Sequence, residues 1–426
     1  MTPNPLASTG STLHLAVIGA GPVGLSLALH AARALPLAQV TLFDSRPVDK
    51  DVRADPRTLA LSLGSVQLLQ RLSAWPAEEA QPILEVHVSQ QPPTLGGALG
   101  SLVGALVGEP EVRIRAIDEA VSMLGAVLGY GEVVTPLQQR WQALQESDPK
   151  RLHSRFGSRV SGLKNLPGSV EVDVENDVEK SGAIVESFDL AVVAEGGVFA
   201  GVSEPALSRE RPAASITHDY AQTAWVGQVG FDPAAPAPRG VAFERVTRAG
   251  PVALLPRKDG RAALVWCVAS GSDPVRDLAD AQRIAVLNNT LHRSAGRVAS
   301  ISPLKPFALG LNAQRTLTSG RSVRIGNAAQ TLHPVAGQGL NLGLRDAHEL
   351  VRALRRDPDI DAVLRRLEWQ RAPDRWAMIA ATDFLARSFT WKLPGAGTAR
   401  GLGMALLQAA GPARSALARR MMFGSR

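Results

Sequence analysis

Cysteine is almost missing from this chain of 426 residues, because Cys267 is the only one. A single thiol can form neither a disulfide framework nor a thiolate metal site, so the sequence favours a reducing compartment. The apolar run around Cys267 predicts a small buried side chain. No apolar run reaches the roughly 20 residues that span a bilayer, and residues 1–11 lack the basic charge of a secretory signal. We therefore expect a cytoplasmic protein that does not cross a membrane.

Aromatic residues are also few, at 4% of the chain, whereas the net charge is +7. No basic run is interleaved with aromatics, which argues against a platform for single-stranded nucleic acid. The basic excess consists largely of arginines near the C-terminus. It fits either contact with an anionic surface or a solvated basic face. The length and the 45% of hydrophobic residues suit a globular protein of two or three domains.

Glycine, by contrast, is placed in patterns. An apolar run at residues 13–18 leads into Gly19, Gly21 and Gly24, and an apolar helix is predicted directly after them. A strand, a G-x-G-x-x-G motif and a helix in this order are the fingerprint of a dinucleotide site. The first glycine makes the tight turn, the second admits the pyrophosphate, and the third lets the helix pack on the strand.

A second predicted strand, at residues 39–43, ends in Asp44. It follows Gly24 by about 20 residues, the spacing at which an acid meets the ribose hydroxyls of a dinucleotide. A carboxylate at this point also argues against a cofactor with a 2′-phosphate. Arg53 and Arg57 come next, and they fit either surface charges or groups that neutralise phosphate or the flavin ring system.

A second glycine-rich stretch lies at residues 324–346, where Gly326, Gly337, Gly339 and Gly343 punctuate a loop before an amphipathic helix. Glycines ahead of a helix N-terminus let backbone N–H groups approach an anion, which the helix dipole also favours. Taken alone, the stretch fits an ordinary strand–loop–helix connection equally well.

Two kinds of sheet are predicted between these motifs. Residues 188–194 form a nearly continuous apolar run, typical of a parallel strand buried on both faces. Residues 215–268 contain successive short strands with a hairpin turn at 258–260, which predicts an antiparallel sheet in an inserted domain. We also predict helices at residues 121–144 and 275–293.

The motifs at the two ends of the chain together resemble those of a known family. The C-terminal motif consists, in order, of Gly326, Asn327, His333, Pro334, Gly337, Gly339 and Asn341. With the N-terminal fingerprint and the segments 57–65, 242–256 and 259–267, it resembles the FAD-dependent aromatic hydroxylases. These are the class A flavoprotein monooxygenases of the p-hydroxybenzoate hydroxylase fold. Within them the chain is most similar to the ubiquinone-biosynthesis hydroxylases.

The resemblance implies an α/β fold. It would comprise a Rossmann-like FAD-binding domain, an inserted antiparallel β-sheet substrate domain and a C-terminal helical segment. The implied boundaries are 11–80, 100–200 and 301–375 for three FAD-binding parts, 81–99 and 201–300 for the substrate domain, and 376–426 for the helical region.

The resemblance also implies which residues hold FAD. They are Gly19, Gly21, Gly24, Asp44, Arg57, Glu195, Gly196, Gly326, Asn327, His333, Pro334, Gly337, Gly339 and Asn341. Glu195 stands where the family has aspartate, so its carboxylate reaches one methylene further, and both loop adjustment and poor coupling to NAD(P)H stay open. We assign no catalytic base, and we see no metal-ligand cluster among the eight histidines.

The implied reaction is hydroxylation of the aromatic ring of a polyprenylphenol intermediate in ubiquinone biosynthesis. NAD(P)H would reduce the FAD, and O2 would then form a flavin C4a-hydroperoxide that attacks the phenol. Two alternatives stay open: a flavin-dependent prenyl-lipid reductase, and a catalytically weak flavin-binding member of a ubiquinone-biosynthesis complex.

The partners and location implied by the resemblance are a prenylated phenol, O2 and no nucleic acid. Membership of a ubiquinone-biosynthesis complex and peripheral contact with the inner face of the bacterial membrane stay open. Residues 405–423 mix apolar and basic side chains, as an interfacial segment would. A helix packed on the FAD-binding domain or on a partner explains the same pattern.

Overall fold

The computed structural model describes residues 12–91, 109–175, 183–196, 215–334, 337–390 and 396–424. Within these residues the chain has a mixed α/β architecture, as predicted. The α-helices are α1 Pro22–Ala34, α2 Leu63–Arg71, α3 Tyr130–Ser147, α4 Asp280–Thr290, α5 Gln338–Arg356, α6 Ile360–Thr390, α7 Ala396–Ala409 and α8 Gly411–Phe423. The strands are β1 His14–Ile18, β2 Gln39–Asp44, β3 Thr58–Ser62, β4 Gln81–Ile83, β5 Glu85–Gln90, β6 Glu111–Arg115, β7 Gly125–Gly129, β8 Leu152–Phe156, β9 Val160–Leu166, β10 Ser169–Glu175, β11 Ala183–Phe188, β12 Leu190–Val193, β13 Ser215–Phe231, β14 Val241–Val246, β15 Pro251–Pro256, β16 Ala262–Ala269, β17 Val298–Ile301, β18 Lys305–Gln314, β19 Thr318–Ser319, β20 Ser322–Arg324 and β21 Gln330–Thr331.

A six-stranded sheet in the order β19-β20-β12-β1-β2-β8 carries the N-terminal fingerprint. Strands β20, β12, β1, β2 and β8 run parallel, and β19 pairs antiparallel at one edge. Every residue of β12 is buried between its neighbours, as predicted for a central parallel strand. Because parallel strands end at the same edge, the turns that follow β1, β2, β12 and β20 are neighbours in space.

Helices α1 and α5 pack against each other beside this sheet with close backbone contact. A Cβ added at Gly343 would lie 2.8 Å from the Cα of Gly326 and 2.8 Å from Cγ2 of Val23. The apolar stripe of α5, including Leu350, is buried in the same core cluster as Leu25 of α1. The amphipathic helix predicted after the second glycine stretch is therefore confirmed, and it binds the two glycine motifs into one unit.

A second, nine-stranded sheet follows the order β21-β18-β13-β16-β15-β14-β5-β6, with β17 paired to β13. All neighbours are antiparallel except β14 and β5, which run parallel. The predicted hairpin joins β15 and β16, and Gly260 takes φ +77° in its turn, a conformation that favours glycine. Cys267 of β16 is buried and free, as predicted.

The prediction of a helix over residues 121–144 is wrong at its start. Residues Gly125–Gly129 form β7, which lies between β3 and β4, and the helix begins only at Tyr130. A Cβ at Gly125 would lie 2.2 Å from the carbonyl oxygen of Leu61, so neighbouring backbone occupies the space of a side chain. A short apolar run does not distinguish a buried strand from a helix, and sheet pairing decided here. The helix predicted at 275–293 is shorter, spanning Asp280–Thr290.

The C-terminal helices pack on the rest of the chain at their inner faces. A Cβ at Gly64 of α2 would lie 2.7 Å from the carbonyl oxygen of Met422, and Ser415 donates a hydrogen bond to Glu119 at 2.6 Å. On the outer face Leu402 and Leu406 are 61% and 69% exposed. No helix in the described residues combines the length and hydropathy that a membrane span needs.

The predicted domain boundaries stay a prediction. Strands β6 and β18 pair into the nine-stranded sheet, although the predicted boundaries assign both of them to FAD-binding parts. The boundaries at 99–100 and 200–201 lie outside the described residues.

Candidate cofactor site

The N-terminal glycine motif forms the turn between β1 and α1. Gly19 has φ +103°, and a Cβ there would lie 2.8 Å from the backbone nitrogen of Glu195. A Cβ at Gly24 would lie 1.8 Å from the carbonyl oxygen of Gly19, so the helix packs directly on the turn. Gly21 faces open space, since the nearest atom to an added Cβ is the hydroxyl of Tyr130 at 3.7 Å. Helix α1 begins after Gly21 without a side-chain cap, which leaves first-turn N–H groups for an anionic ligand.

Asp44 ends β2 beside this turn. Its carboxylate accepts hydrogen bonds from the backbone N–H groups of Ala20, at 2.5 Å, and Arg46, at 2.7 Å. The same carboxylate lies 3.9 Å from the Arg46 side chain. Asp44 thus holds the glycine turn in shape and places a negative charge beside the N-terminus of α1. Its contact with a ribose stays a prediction.

The middle motif and the C-terminal motif meet next to the glycine turn. The side-chain amide of Asn327 donates a hydrogen bond to the carbonyl oxygen of Gly196 at 3.4 Å. A Cβ at Gly339 would lie 3.8 Å from the side-chain oxygen of Asn327. Since the backbone of Glu195 touches Gly19, the three motifs that the sequence separates by about 300 residues form one continuous surface. Gly197, the second glycine after Glu195, lies outside the described residues.

Helix α5 starts within this surface. Gly337 caps it in the left-handed conformation, at φ +59°, without a side-chain hydrogen bond to the helix. The N–H of Gly337 donates to the carbonyl of Pro334 at 3.0 Å, which closes a turn ahead of the helix. The positive end of the α5 dipole therefore points at the region between the two glycine motifs.

The buried side chain of Asn341 links the start of α5 to strand β3. Its side-chain oxygen accepts from the N–H of Ser62 at 2.8 Å, and its amide donates to the carbonyls of Ala60, at 3.0 Å, and Gly337, at 2.8 Å. These three bonds run to the backbone, and Asn341 is buried. The side chain predicted to contact the cofactor is used to position the segment that carries Gly337.

Arg57 lies beside the glycine turn through Tyr130. Its guanidinium is 4.0 Å from the centroid of the Tyr130 ring and makes a bidentate pair with Asp55, at 2.9 and 2.7 Å. The Tyr130 hydroxyl is the group that faces Gly21. Arg57 is therefore held, partly buried, within reach of the predicted phosphate region.

His333 is buried between the C-terminal motif and the nine-stranded sheet. Its Nε2 lies 3.1 Å from the side-chain oxygen of Gln222, and its ring meets Tyr220 edge to face at 5.3 Å. Burial lowers the pKa of His333 to about 4, so the ring is neutral at physiological pH. A neutral, hydrogen-bonded imidazole supports a positioning role.

One group of potential metal ligands does come together, although the sequence reading found none. His87, Glu111 and His292 present ligand atoms within 4.8 Å of one another, on the opposite side of the nine-stranded sheet from His333. Their positions are too far apart in the sequence to form a recognisable spacing. Arg113 pairs with Glu111 at 3.1 Å, and Ser294 bonds to both imidazoles, at 2.7 and 3.3 Å. The group is a hydrogen-bonded polar network, and we assign it no metal.

Comparison with known proteins decides the chemistry of the glycine-lined surface. Residues 203–372 match the family model described as FAD binding domain. The ubiquinone hydroxylase UbiL of Rhodospirillum rubrum is 36% identical over 225 residues, which is 50% of this chain and 52% of that protein. The 3-demethoxyubiquinol 3-hydroxylase of Escherichia coli is 28% identical over 416 residues, 95% of this chain and 96% of that protein. The FAD-binding match and the hydroxylase relatives support an FAD-dependent hydroxylase.

The fold of this hydroxylase is also that of solved structures. The crystal structure of p-nitrophenol 4-monooxygenase PnpA from Pseudomonas putida DLL-E4 superposes with a TM-score of 0.72 at 15% identity, covering 98% of this chain and 100% of that one. The match to the Rhodospirillum protein spans about half of that relative, whereas the match to the Escherichia protein spans nearly all of it. The predicted family is confirmed, and the two alternatives raised from the sequence are not favoured.

The described residues of the hydroxylase fit FAD. Two helices start at glycines without side-chain caps and face one surface, which suits a pyrophosphate at one end and an electron-rich ring at the other. The side of Gly21 is open where close approach to phosphate is required. When bound, FAD supplies electron transfer from NAD(P)H and the activation of O2. The chain supplies position and N–H donors at the starts of α1 and α5.

Sequence reasoning missed two residues of this surface. Tyr130, which connects Arg57 to Gly21, begins a helix that was predicted to start nine residues earlier. Gln222, the partner of His333, comes from a strand about 110 residues away in the chain. Neither residue belongs to a motif, so the contacts appear only when the sheets are assembled.

Proposed function

We propose that this hydroxylase adds oxygen to the aromatic ring of a polyprenylphenol intermediate in ubiquinone biosynthesis, using NAD(P)H and O2. The observation that carries the proposal is the alignment with the Escherichia coli 3-demethoxyubiquinol 3-hydroxylase across 95% of this chain. An alignment of that extent includes the nine-stranded sheet as well as the glycine motifs. It therefore supports a shared substrate class in addition to a shared cofactor.

The convergence of three motifs supports the assignment of the FAD contacts. In our proposal Gly19, Gly21, Gly24 and Asp44 hold the ADP half, and Arg57 lies beside the phosphates and the flavin. Glu195, Gly196, Gly326 and Asn327 contact the middle of the cofactor, and the segment with His333, Pro334, Gly337 and Gly339 flanks the isoalloxazine ring. Asn341 positions that segment from below.

The substrate side is proposed to be the nine-stranded sheet with the C-terminal helices. Phe384 of α6 and Leu402 and Leu406 of α7 are exposed by 58%, 61% and 69%. Exposed apolar side chains near basic ones favour contact with an anionic lipid surface. We propose that these helices contact the inner face of the membrane peripherally, where a prenylated substrate resides, and that the protein works beside other enzymes of the pathway.

Purified protein tests the proposal directly. We expect a yellow protein that binds FAD and consumes NAD(P)H and O2 when a prenylphenol is added, with a hydroxylated product detected by mass spectrometry. Substrate turnover without O2 consumption would support a prenyl-lipid reductase. Bound FAD that no substrate causes to be reduced would support a non-catalytic member, and Glu195→Asp then tests whether the longer carboxylate is the cause.

A genetic complementation experiment tests which ring carbon is hydroxylated. The sequence resembles 2-octaprenyl-6-methoxyphenol hydroxylase, whereas the Escherichia relative is named for hydroxylation at a different ring carbon. Complementation of strains blocked at each ring position separates these activities, because each block accumulates a distinct intermediate. Rescue of no strain, with the protein expressed and loaded with FAD, would contradict a role in this pathway.

A further inference from the structure

The nine-stranded sheet carries a row of partly exposed residues that crosses five strands. Register pairs place five side chains next to each other, namely Val88, Glu244, Ala253, Val265 and Val226. Directly opposed residues in a sheet project from the same face, so these side chains form one strip, here called the Glu244 row. All five are partly exposed, and the immediate chain neighbours of the first four are buried. The row is thus a partly exposed strip, here called the floor, whose neighbours along the chain are mostly buried.

Glu244 is the single charged residue of this floor. Among the described residues its carboxylate has no hydrogen bond or ion pair, and the other members of the Glu244 row are apolar. Its electrostatic neighbour is the buried thiol of Cys267, whose pKa is raised by burial and further by the charge of Glu244. A carboxylate in apolar surroundings costs free energy unless it finds a donor, and because Glu244 is partly exposed a bound ligand can supply one.

Apolar side chains from two directions flank the Glu244 row. On the side of β13, Val226 and Val265 join the core cluster of Leu332 and Met378. On the opposite side, the cluster next to β14 includes Leu255 of β15 together with Met404 and Leu407 of α7. The floor therefore lies between α6 and α7, the two helices that carry the exposed apolar residues Phe384, Leu402 and Leu406. Apolar side chains therefore border this floor on both sides.

The two described ends of the segment proposed to flank the flavin ring are anchored near this floor. The segment is attached at one end by His333, which bonds to Gln222 of β13 at 3.1 Å. It is attached at the other end by Asn341, which bonds to Ala60 and Ser62 of β3. Strand β3 belongs to the small sheet that meets the Leu255 side of the floor through Leu63 and Val127. The two anchors thus lie on opposite sides of the Glu244 row.

We propose that the Glu244 carboxylate is the catalytic residue that binds the hydroxyl of a phenolic substrate and accepts its proton during ring hydroxylation. The apolar members of the row hold the ring, and a hydrophobic substituent leaves between α6 and α7. This inference rests on the proposed function, and it assigns the role of base that the sequence leaves open.

In the proposed step one proton moves from the phenolic hydroxyl to the Glu244 carboxylate. The phenolic O–H bond breaks, its electron pair stays on the substrate oxygen and feeds the ring, and the proton forms an O–H bond on Glu244. Oxygen itself comes from O2 with NAD(P)H as reductant. Burial raises the pKa of Glu244 to about 7, which brings its carboxylate closer in basicity to a phenol and makes it a better acceptor than an exposed glutamate.

Other titratable groups on the packed elements are already engaged. Tyr220 donates to Asp383 at 3.0 Å, Arg400 donates to Gln90 at 2.8 Å, and His333 bonds to Gln222. The buried thiol of Cys267 stays protonated because burial and Glu244 both raise its pKa. Glu244 is a carboxylate on this face whose pKa lies near neutral pH.

The test compares Glu244→Gln with Glu85→Gln in the FAD-loaded full chain, using a prenylphenol as probe. Glu85 lies on the adjacent strand β5 and projects from the opposite face, so the control removes a carboxylate from the same sheet. We expect Glu244→Gln to keep its FAD and to lose about 10²–10⁴-fold in kcat for product, the range of general-base catalysis. NAD(P)H consumption then yields hydrogen peroxide in place of product. The rise of kcat/KM with pH near 7 disappears in Glu244→Gln and persists in Glu85→Gln.

If Glu244→Gln does not fold, the kcat of Glu244→Asp and its pH dependence test the proposal instead. It keeps the carboxylate, so we expect a lower kcat with the pH-dependent rise retained at a shifted midpoint. Product formation by Glu244→Gln within threefold of wild type, with an unchanged pH profile, overturns the role of Glu244 and leaves the proposed function intact. A wild-type enzyme that hydroxylates no prenylphenol overturns both.

Discussion

The side-chain oxygen of Asn341 accepts a hydrogen bond from the backbone N–H of Ser62 at 2.8 Å, across 279 residues of chain. The amide of the same residue donates to Ala60 and Gly337. One buried side chain therefore holds the start of α5 against β3. The surface that we propose for FAD includes Gly337, whose carbonyl accepts one of these bonds.

Asn341→Ala removes all three hydrogen bonds and leaves buried backbone groups without partners. We expect a loss of about 2–4 kcal/mol in the free energy of unfolding and weaker FAD binding. Urea denaturation and a flavin-fluorescence titration measure the two effects. The control is Asn312→Ala at an exposed position of β18, which should change neither. Normal FAD affinity in Asn341→Ala would show that the loop is held by other contacts.

Gly24→Ala and Gly21→Ala separate packing from ligand binding. The first places a Cβ 1.8 Å from the carbonyl oxygen of Gly19, so we expect destabilisation of more than about 3 kcal/mol even without FAD. The second meets nothing closer than 3.7 Å, so the protein should fold normally. Because the added methyl occupies the space proposed for the pyrophosphate, Gly21→Ala should bind FAD at least tenfold more weakly. Equal FAD affinity of Gly21→Ala and wild type would argue against a pyrophosphate at this turn.

The buried ion pair between Asp346 and Arg371, at 2.7 Å, joins α5 to α6. Arg371 also pairs with Asp374 at 3.2 Å, so Asp346→Asn removes one charge-assisted hydrogen bond and should cost about 1.5–3 kcal/mol. Arg371→Met leaves the buried Asp346 carboxylate without its ion pair and should cost about 3–5 kcal/mol. The double variant should cost less than the sum of the two. Glu349→Gln, which breaks an exposed pair with Arg352, is the control and should cost about 1 kcal/mol or less. Strict additivity in a double-mutant cycle would show that the pair is not coupled.

Glu244→Gln should stabilise the protein in a pH-dependent way. The pKa of Glu244 in the folded chain is about 7, above its value when unfolded, because burial disfavours the charged carboxylate. The contribution of Glu244 to stability is therefore fully present below the unfolded pKa and is lost as pH rises through about 7. We expect the substitution to raise the free energy of unfolding by up to about 3 kcal/mol at pH 8 and to have little effect at pH 4.5. An equal change in the free energy of unfolding at both pH values would mean that burial does not raise the pKa of Glu244.

Parts of the fold were accessible from sequence because they depend on local spacing. The fingerprint from Gly19 to Asp44, the buried strand β12 and the β15–β16 hairpin each follow from apolar period and turn residues within a short window. Strand β7 was misread as helix, since its five residues give no period long enough to distinguish the two. The identity of β3 as a partner of β7 was needed to settle it.

In the candidate site, too, some features could be predicted from the sequence and others could not. Gly24 and Gly343 are glycine because backbone passes where a side chain would be, and glycine in a motif is visible in the sequence. The roles of Asn341 and His333 were not visible, since their partners Ser62 and Gln222 come from distant strands. The sequence predicts both residues as cofactor contacts, and the structure adds that Asn341 bonds to Ser62 and His333 to Gln222.

By itself the sequence predicted a dinucleotide-type cofactor, and its motifs resemble those of the FAD-dependent hydroxylases. The glycine spacing and the carboxylate at the end of β2 involve residues that are close in the sequence, so a short segment is enough to recognise them. Only the tertiary structure decided where the second glycine stretch meets the first, and that the Glu244 carboxylate lies among apolar side chains of the nine-stranded sheet. Burial and hydrogen bonding depend on all elements at once, and a lone carboxylate such as Glu244 becomes visible only when five strands are placed side by side.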